Sequence, residues 1–75
     1  MSGRIQDALG LKCPQPLFEV NKSMKDLAAG ETLEVHADDP AFKLDIEAWC
    51  RRTGNVLVEL RREGSRFVAI LRKAG

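Results

Sequence analysis

Cys13 is the residue whose neighbours best equip it for chemistry. It stands in Gly10-Leu11-Lys12-Cys13-Pro14-Gln15-Pro16, with two of the chain's three prolines within three residues of it. A cysteine placed just before a helix meets free backbone N–H groups and the positive end of the helix dipole, and both favour the thiolate. Pro14 and Pro16 have no N–H to offer. The amides of Gln15 and Leu17 are therefore the early-turn donors expected to face a sulfur anion, and Lys12 adds a nearby cation. From these residues alone, two roles stay open. One is a reactive sulfur; the other is a cysteine in place of an N-cap, with prolines that only start a helix. A haem-contacting Cys-Pro dipeptide is a third possibility, but no partner ligand is evident.

The elements around this segment follow from hydrophobic spacing. Arg4 to Leu9 reads as a short strand with Ile5, Asp7 and Leu9 on one side, ended by Gly10. From Pro14, apolar residues at Leu17, Val20, Met24, Leu27 and Ala28 share one helical face, and Gly30 is the expected stop. Leu33, Val35 and Ala37 alternate with Thr32, Glu34 and His36, the pattern of a half-buried strand. Asp38-Asp39-Pro40 reads as an N-cap with an early-turn proline. It precedes a helix with Phe42, Ile46 and Trp49 at i, i+4, i+7, running to about Thr53 and stopping at Gly54. Val56 to Arg62 and Arg66 to Lys73 are strand-like runs joined by a Glu63-Gly64-Ser65 hairpin turn. The order β-α-β-α-β-β predicts a two-layer α/β (α+β) sandwich, a four-stranded mixed sheet with both helices on one face. The inward register of the last two strands stays undecided, and their apolar runs predict an open face that is not wholly polar.

Bulk properties narrow the classes further. Seventy-five residues allow one domain, residues 1–75, and no second core. Twelve basic and eleven acidic residues give a net charge of +1, too little cationic surplus for a dedicated nucleic-acid or anionic-membrane binder. Two cysteines cannot staple a secreted mini-protein, and with one histidine they fall a ligand short of a structural zinc site. No run approaches the ~20 apolar residues of a membrane span, and the N-terminus lacks the apolar core of a signal peptide. A reducing cytoplasm is the expected location, with no membrane partner and no metal.

The stretch Leu9-Gly10-Leu11-Lys12-Cys13-Pro14-Gln15-Pro16 resembles the TusA/SirA family of small sulfur carriers. Asp7 upstream, with Ala37-Asp38-Asp39-Pro40 and Asp45-Ile46 downstream, extends the likeness from about residue 5 to the C-terminal residues 72–75. The family's hallmark is the Cys-Pro-x-Pro element at the start of the first helix, and its members share the β-α-β-α-β-β sandwich. The resemblance implies that Cys13 accepts a persulfide sulfur from a cysteine desulfurase and passes it to a downstream relay protein. The sulfur would then be held covalently, with no separate cofactor. It further implies a stoichiometric shuttle, monomeric when free, rather than an enzyme. Thiolation of tRNA wobble uridine is the expected destination; sulfur oxidation and molybdenum cofactor biosynthesis are the alternatives. Gln6 departs from the family, which usually has an aliphatic residue there.

Other residues have plainer readings. Cys50 lies about 60° from the middle of its helix's apolar face, as a small partly buried hydrophobe or else a resolving thiol. A Cys13–Cys50 disulfide would make the chain a redox-regulated one. Phe18 sits off the apolar face of its helix between Lys22 and Lys25, where the three could form a docking patch. Arg51-Arg52, Arg61-Arg62, Arg66, Arg72 and Lys73 read as solvated basic groups or a cationic surface for a partner. Asp38, Asp39 and Asp45 read as cap and helix-surface groups, Trp49 as a core anchor. Asp7 is expected to act structurally near the Cys13 loop, and His36 is assigned no role. A rival class is a non-catalytic RNA- or protein-binding module, since the arrangement also resembles the C-terminal domain of bacterial translation initiation factor three.

Overall fold

The computed structural model describes residues 3–12 and 14–74; Cys13 lies outside them. Four strands and two helices alternate as β1 (Gly3–Ala8), α1 (Gln15–Lys25), β2 (Thr32–Ala37), α2 (Phe42–Thr53), β3 (Val56–Glu63) and β4 (Arg66–Arg72). The sheet order is β1-β2-β4-β3, with β1 and β2 parallel and β4 antiparallel to both its neighbours. This is the expected mixed sheet. Because β1 and β2 run the same way, the loop leaving β1 and the loop leaving β2 emerge side by side at one end.

Alternation on β2 is strict: Leu33, Val35 and Ala37 are fully buried, while Thr32, Glu34 and His36 are partly exposed. The buried set meets Val20 and Met24 of α1 and Phe42, Ile46, Trp49 and Cys50 of α2 in one core cluster. Burial of side chains as large as Phe42 or Ile46 stabilises by roughly 1.5–3 kcal/mol each. Both helices therefore bind one face of the sheet through the stripe their 3.6-residue spacing creates.

The undecided register of the last two strands is settled by packing. On β4, Ala69 and Leu71 join the core and Phe67 packs against it. On β3, a bulge between Leu57 and Glu59 adds one residue, so Leu57 and Leu60 both reach the core although three positions apart. Val68 points the other way, yet is only 1% exposed on the open face, flanked in the ladder by His36 and Arg61. The open face also carries Ile5 and Ile70, so it is apolar in part, as expected. Around them, Arg61 bridges Glu59 at 2.7 Å and Glu63 at 2.6 Å. These hydrogen bonds, that to Glu63 first, raise the Arg61 pKa above its ordinary value, and the Arg61 bond lowers that of Glu63. His36 Nε2 donates to Glu34 at 2.6 Å, while Arg66 donates to Nδ1 at 3.5 Å.

Several boundaries shift from their sequence reading. The first helix ends at Lys25, not near Gly30; Leu27 is buried beyond its end and Ala28 is exposed. The reason is a competing set of bonds. Lys73 Nζ donates to the carbonyls of Met24 at 2.8 Å and Leu27 at 2.7 Å, closing the last turn from outside. Gly30, at φ +87°, instead turns the chain so that its N–H bonds the Lys73 carbonyl. The second helix starts at Phe42 with Ala41 as its N-cap, so Asp38 and Pro40 lie ahead of it. Its end, Thr53 with left-handed Gly54 at φ +81°, is as expected. Glu63 pairs with Arg66, which shortens the hairpin turn to Gly64-Ser65.

Candidate functional site

Residues 9–14 carry the chain from the end of β1 to the start of α1, and the first three backbone amides of this loop each have a partner. Leu9 N–H donates to Asp7 Oδ1 at 3.0 Å, Gly10 N–H to Asp38 Oδ1 at 3.0 Å, and Leu11 N–H to the Ala8 carbonyl at 3.3 Å. Gly10 adopts φ +82°, a left-handed conformation that a side chain would strain, which explains glycine there without any need for space. Leu11 packs against the core and Lys12 is exposed. Asp7 has the structural role expected of it.

The start of α1 differs from its sequence reading in one chemically important respect. Pro14 is the N-cap and is exposed, while Pro16 is buried in the first turn. Gln15 N–H donates to the Lys12 carbonyl at 2.8 Å and Leu17 N–H to the Pro14 carbonyl at 3.0 Å, with Phe18 N–H on the same Pro14 carbonyl at 3.3 Å. The amides of Gln15 and Leu17 are thus engaged, not free to face a sulfur anion. Tight local turns intercept them because Pro14 and Pro16 already remove the competing donors. Among the described residues, the helix dipole and the exposed Lys12 ammonium are what this end offers an anion. Cys13, which follows Lys12 in the sequence, lies outside the described residues.

The remaining candidates separate clearly. Cys50 is a free thiol, 6% exposed in the core cluster, and desolvation raises its pKa. That environment suits a packed hydrophobe and suppresses the thiolate a resolving cysteine needs. Phe18 is 53% exposed with Lys22 and Lys25 exposed on the same helix; Lys22 lies 3.9 Å from Glu19. Trp49 is buried, and its Nε1–H donates to Asn21 Oδ1 at 3.0 Å. Arg51 and Arg52 are exposed in the last turn of α2. Lys73, read as solvated, is spent on the end of α1. Among the described residues, no group of three His, Cys, Asp or Glu could hold a metal, and no helix is long and apolar enough to cross a membrane.

Two contributors escaped the sequence reading. Sequence spacing places Asp38 with the helix that follows it, but its carboxylate accepts from a loop 28 residues earlier. Asp39, one residue on, instead accepts the Ala41 N–H at 2.8 Å. Nothing in local spacing could assign the two carboxylates, because only the parallel β1–β2 pairing brings Gly10 beside position 38. Gln6, the odd residue of the first strand, accepts a hydrogen bond from the Ser23 hydroxyl of α1. Its polarity is satisfied at the strand–helix contact, where an aliphatic residue would offer no acceptor.

Comparison with known proteins places this geometry in context. The family described as "Sulfurtransferase TusA" matches residues 4–73. YrkF of Bacillus subtilis is 45% identical over 71 residues, which are 95% of this chain and 38% of YrkF. The chain therefore spans little more than a third of that relative. The sulfur carrier protein TusA of Allochromatium vinosum is 37% identical over 68 residues, 91% of this chain and 90% of its own. Among solved structures, the SirA-like protein of Desulfitobacterium hafniense superposes with a TM-score of 0.82, covering 96% of this chain and 99% of that one. At 20% identity, that likeness concerns the fold.

Proposed function

This chain belongs to the sulfurtransferase TusA family, and on that premise we propose that it carries a persulfide sulfur on Cys13. The observation that carries the reading is the family match over residues 4–73, which takes in the whole Cys-Pro-x-Pro segment at the junction of β1 and α1. In the proposed cycle the Cys13 thiolate attacks the terminal sulfur of a persulfide on a cysteine desulfurase. A new sulfur–sulfur bond forms on Cys13, the donor's bond breaks, and the donor cysteine leaves as a thiolate. A thiolate of the next relay protein then attacks the terminal sulfur on Cys13 and returns Cys13 to a thiolate. Each step exchanges one sulfur–sulfur bond for another, so no external oxidant or reductant is consumed.

The chain's own contribution is electrostatic and positional. With Gln15 and Leu17 amides engaged, the positive end of the eleven-residue α1 and the exposed Lys12 are left to favour the anion. Phe18, Lys22 and Lys25 supply an apolar anchor rimmed by cations for donor or acceptor docking. We assign the sulfur to tRNA 2-thiouridine formation, delivered in the cytoplasm by a monomeric, non-enzymatic carrier.

The test is mass spectrometry after incubation with a cysteine desulfurase and cysteine. The wild type gains one sulfur atom, removable by reductant. Cys13→Ser gains none, whereas Cys50→Ser keeps most of the label. Label that follows Cys50 would overturn the site. For the patch, Phe18→Ala with Lys22→Glu and Lys25→Glu is expected to slow loading; loading at the wild-type rate removes docking from these residues.

A further inference from the structure

The loop that delivers Cys13 is held from outside its own sequence neighbourhood. Its first amides meet two carboxylates: Leu9 N–H on Asp7, two residues away, and Gly10 N–H on Asp38, from the end of β2. The last backbone pair of the parallel ladder is Ala8 with Ala37. Asp38 is the first residue after β2, and its side-chain oxygen extends the β1–β2 pairing one step past the point where the backbone ladder ends. Gly10 accepts this arrangement through its φ of +82°. Two amides later the chain reaches Lys12, whose carbonyl takes the Gln15 N–H and so ties the loop to the first turn of α1.

From this connectivity we propose that Asp38 is a positioning residue for Cys13, an inference that rests on the sulfur-carrier reading above. Asp38 holds Gly10, and thereby the path of residues 10–12, so that the reactive sulfur is presented in one orientation to donor and acceptor. The role belongs to its oxygen as a hydrogen-bond acceptor, not to its negative charge. A carboxylate close to a sulfur anion would otherwise oppose the thiolate. The acceptor is tolerated there because a rigid approach is what sulfur transfer between two protein-bound atoms requires.

The prediction separates acceptor from charge. Asp38→Asn keeps an oxygen for Gly10 N–H and loses the charge; Asp38→Ala loses both. Desulfurase-dependent loading of Cys13 is expected to slow about tenfold in Asp38→Ala, the factor for one lost charge-assisted hydrogen bond. In Asp38→Asn it should stay within about threefold of wild type, on the smaller difference between charged and neutral acceptors. Hydrogen exchange at the Gly10 amide should quicken in Asp38→Ala and not in Asp38→Asn. Should that variant not fold, Asp38→Leu removes the acceptor while nearly keeping the side chain's shape. Wild-type loading rates in Asp38→Ala or Asp38→Leu would overturn the positioning role and leave the carrier reading intact. Equal slowing in Asp38→Asn and Asp38→Ala would overturn it too, by assigning the effect to charge. Absence of any label on Cys13 in the wild type would instead overturn the carrier reading, and this role with it.

Discussion

Replacing Lys73 by methionine tests how α1, the helix that begins at the Cys13 segment, is held in place. Lys73 stands just past β4, and its ammonium donates to the carbonyls of Met24 at 2.8 Å and Leu27 at 2.7 Å. Methionine keeps the unbranched stem and removes only the donor. Met24's carbonyl retains the Leu27 N–H at 3.1 Å, so the loss falls mainly on the Leu27 carbonyl. One bond to a charged donor contributes about 1.5–3 kcal/mol, and the half-buried setting argues for about 2 kcal/mol in total. Small domains are stable by roughly 0.05–0.15 kcal/mol per residue, so this is a large share of the whole. Urea unfolding followed by Trp49 fluorescence should report that loss at unchanged m-value, with a fall in Tm of about 10 °C. Lys25→Met, at an exposed position, should change stability by no more than about 0.5 kcal/mol. If Lys73→Met also fell within about 0.5 kcal/mol of wild type, the capping role would be wrong and Lys73 would be a solvated group after all.

Two further outcomes follow from single contacts. Desolvation raises the Cys50 pKa above its ordinary 9.0. The unfolded chain therefore releases that proton first, and the thiol's contribution is intact below about pH 9 and lost as pH rises through the folded pKa. Wild-type stability should fall more steeply above pH 9 than that of Cys50→Ala, measured by urea unfolding across pH 8–10.5; parallel curves would refute it. For the Gln6–Ser23 bond, Gln6→Leu should cost about 1 kcal/mol by stranding the Ser23 hydroxyl, and adding Ser23→Ala should recover most of it. Additive losses in that double-mutant cycle would mean the two groups do not interact.

The local elements and the reactive segment were readable because they depend on short-range rules. Phe42, Ile46 and Trp49 repeat at helical spacing, Leu33, Val35 and Ala37 alternate, and Gly54 ends a helix; each is a periodicity or a backbone preference carried by neighbouring residues. The same holds for Cys13 beside Pro14 and Pro16, since helix-start chemistry is written in consecutive positions. Tertiary structure decided everything that depends on who meets whom. It chose Gly10 as the partner of Asp38, Leu27 and Met24 as those of Lys73, and Ser23 as that of Gln6, each pair separated by at least 17 positions. It also set the inward register of β3, where a bulge moves Leu60 onto the face of Leu57. The Gln15 and Leu17 amides are a different case: local turns onto the Lys12 and Pro14 carbonyls claim them, three residues back along the chain. A residue type fixes what a polar group can donate or accept; which partner claims it is decided only when strands and helices bring distant atoms within bonding range.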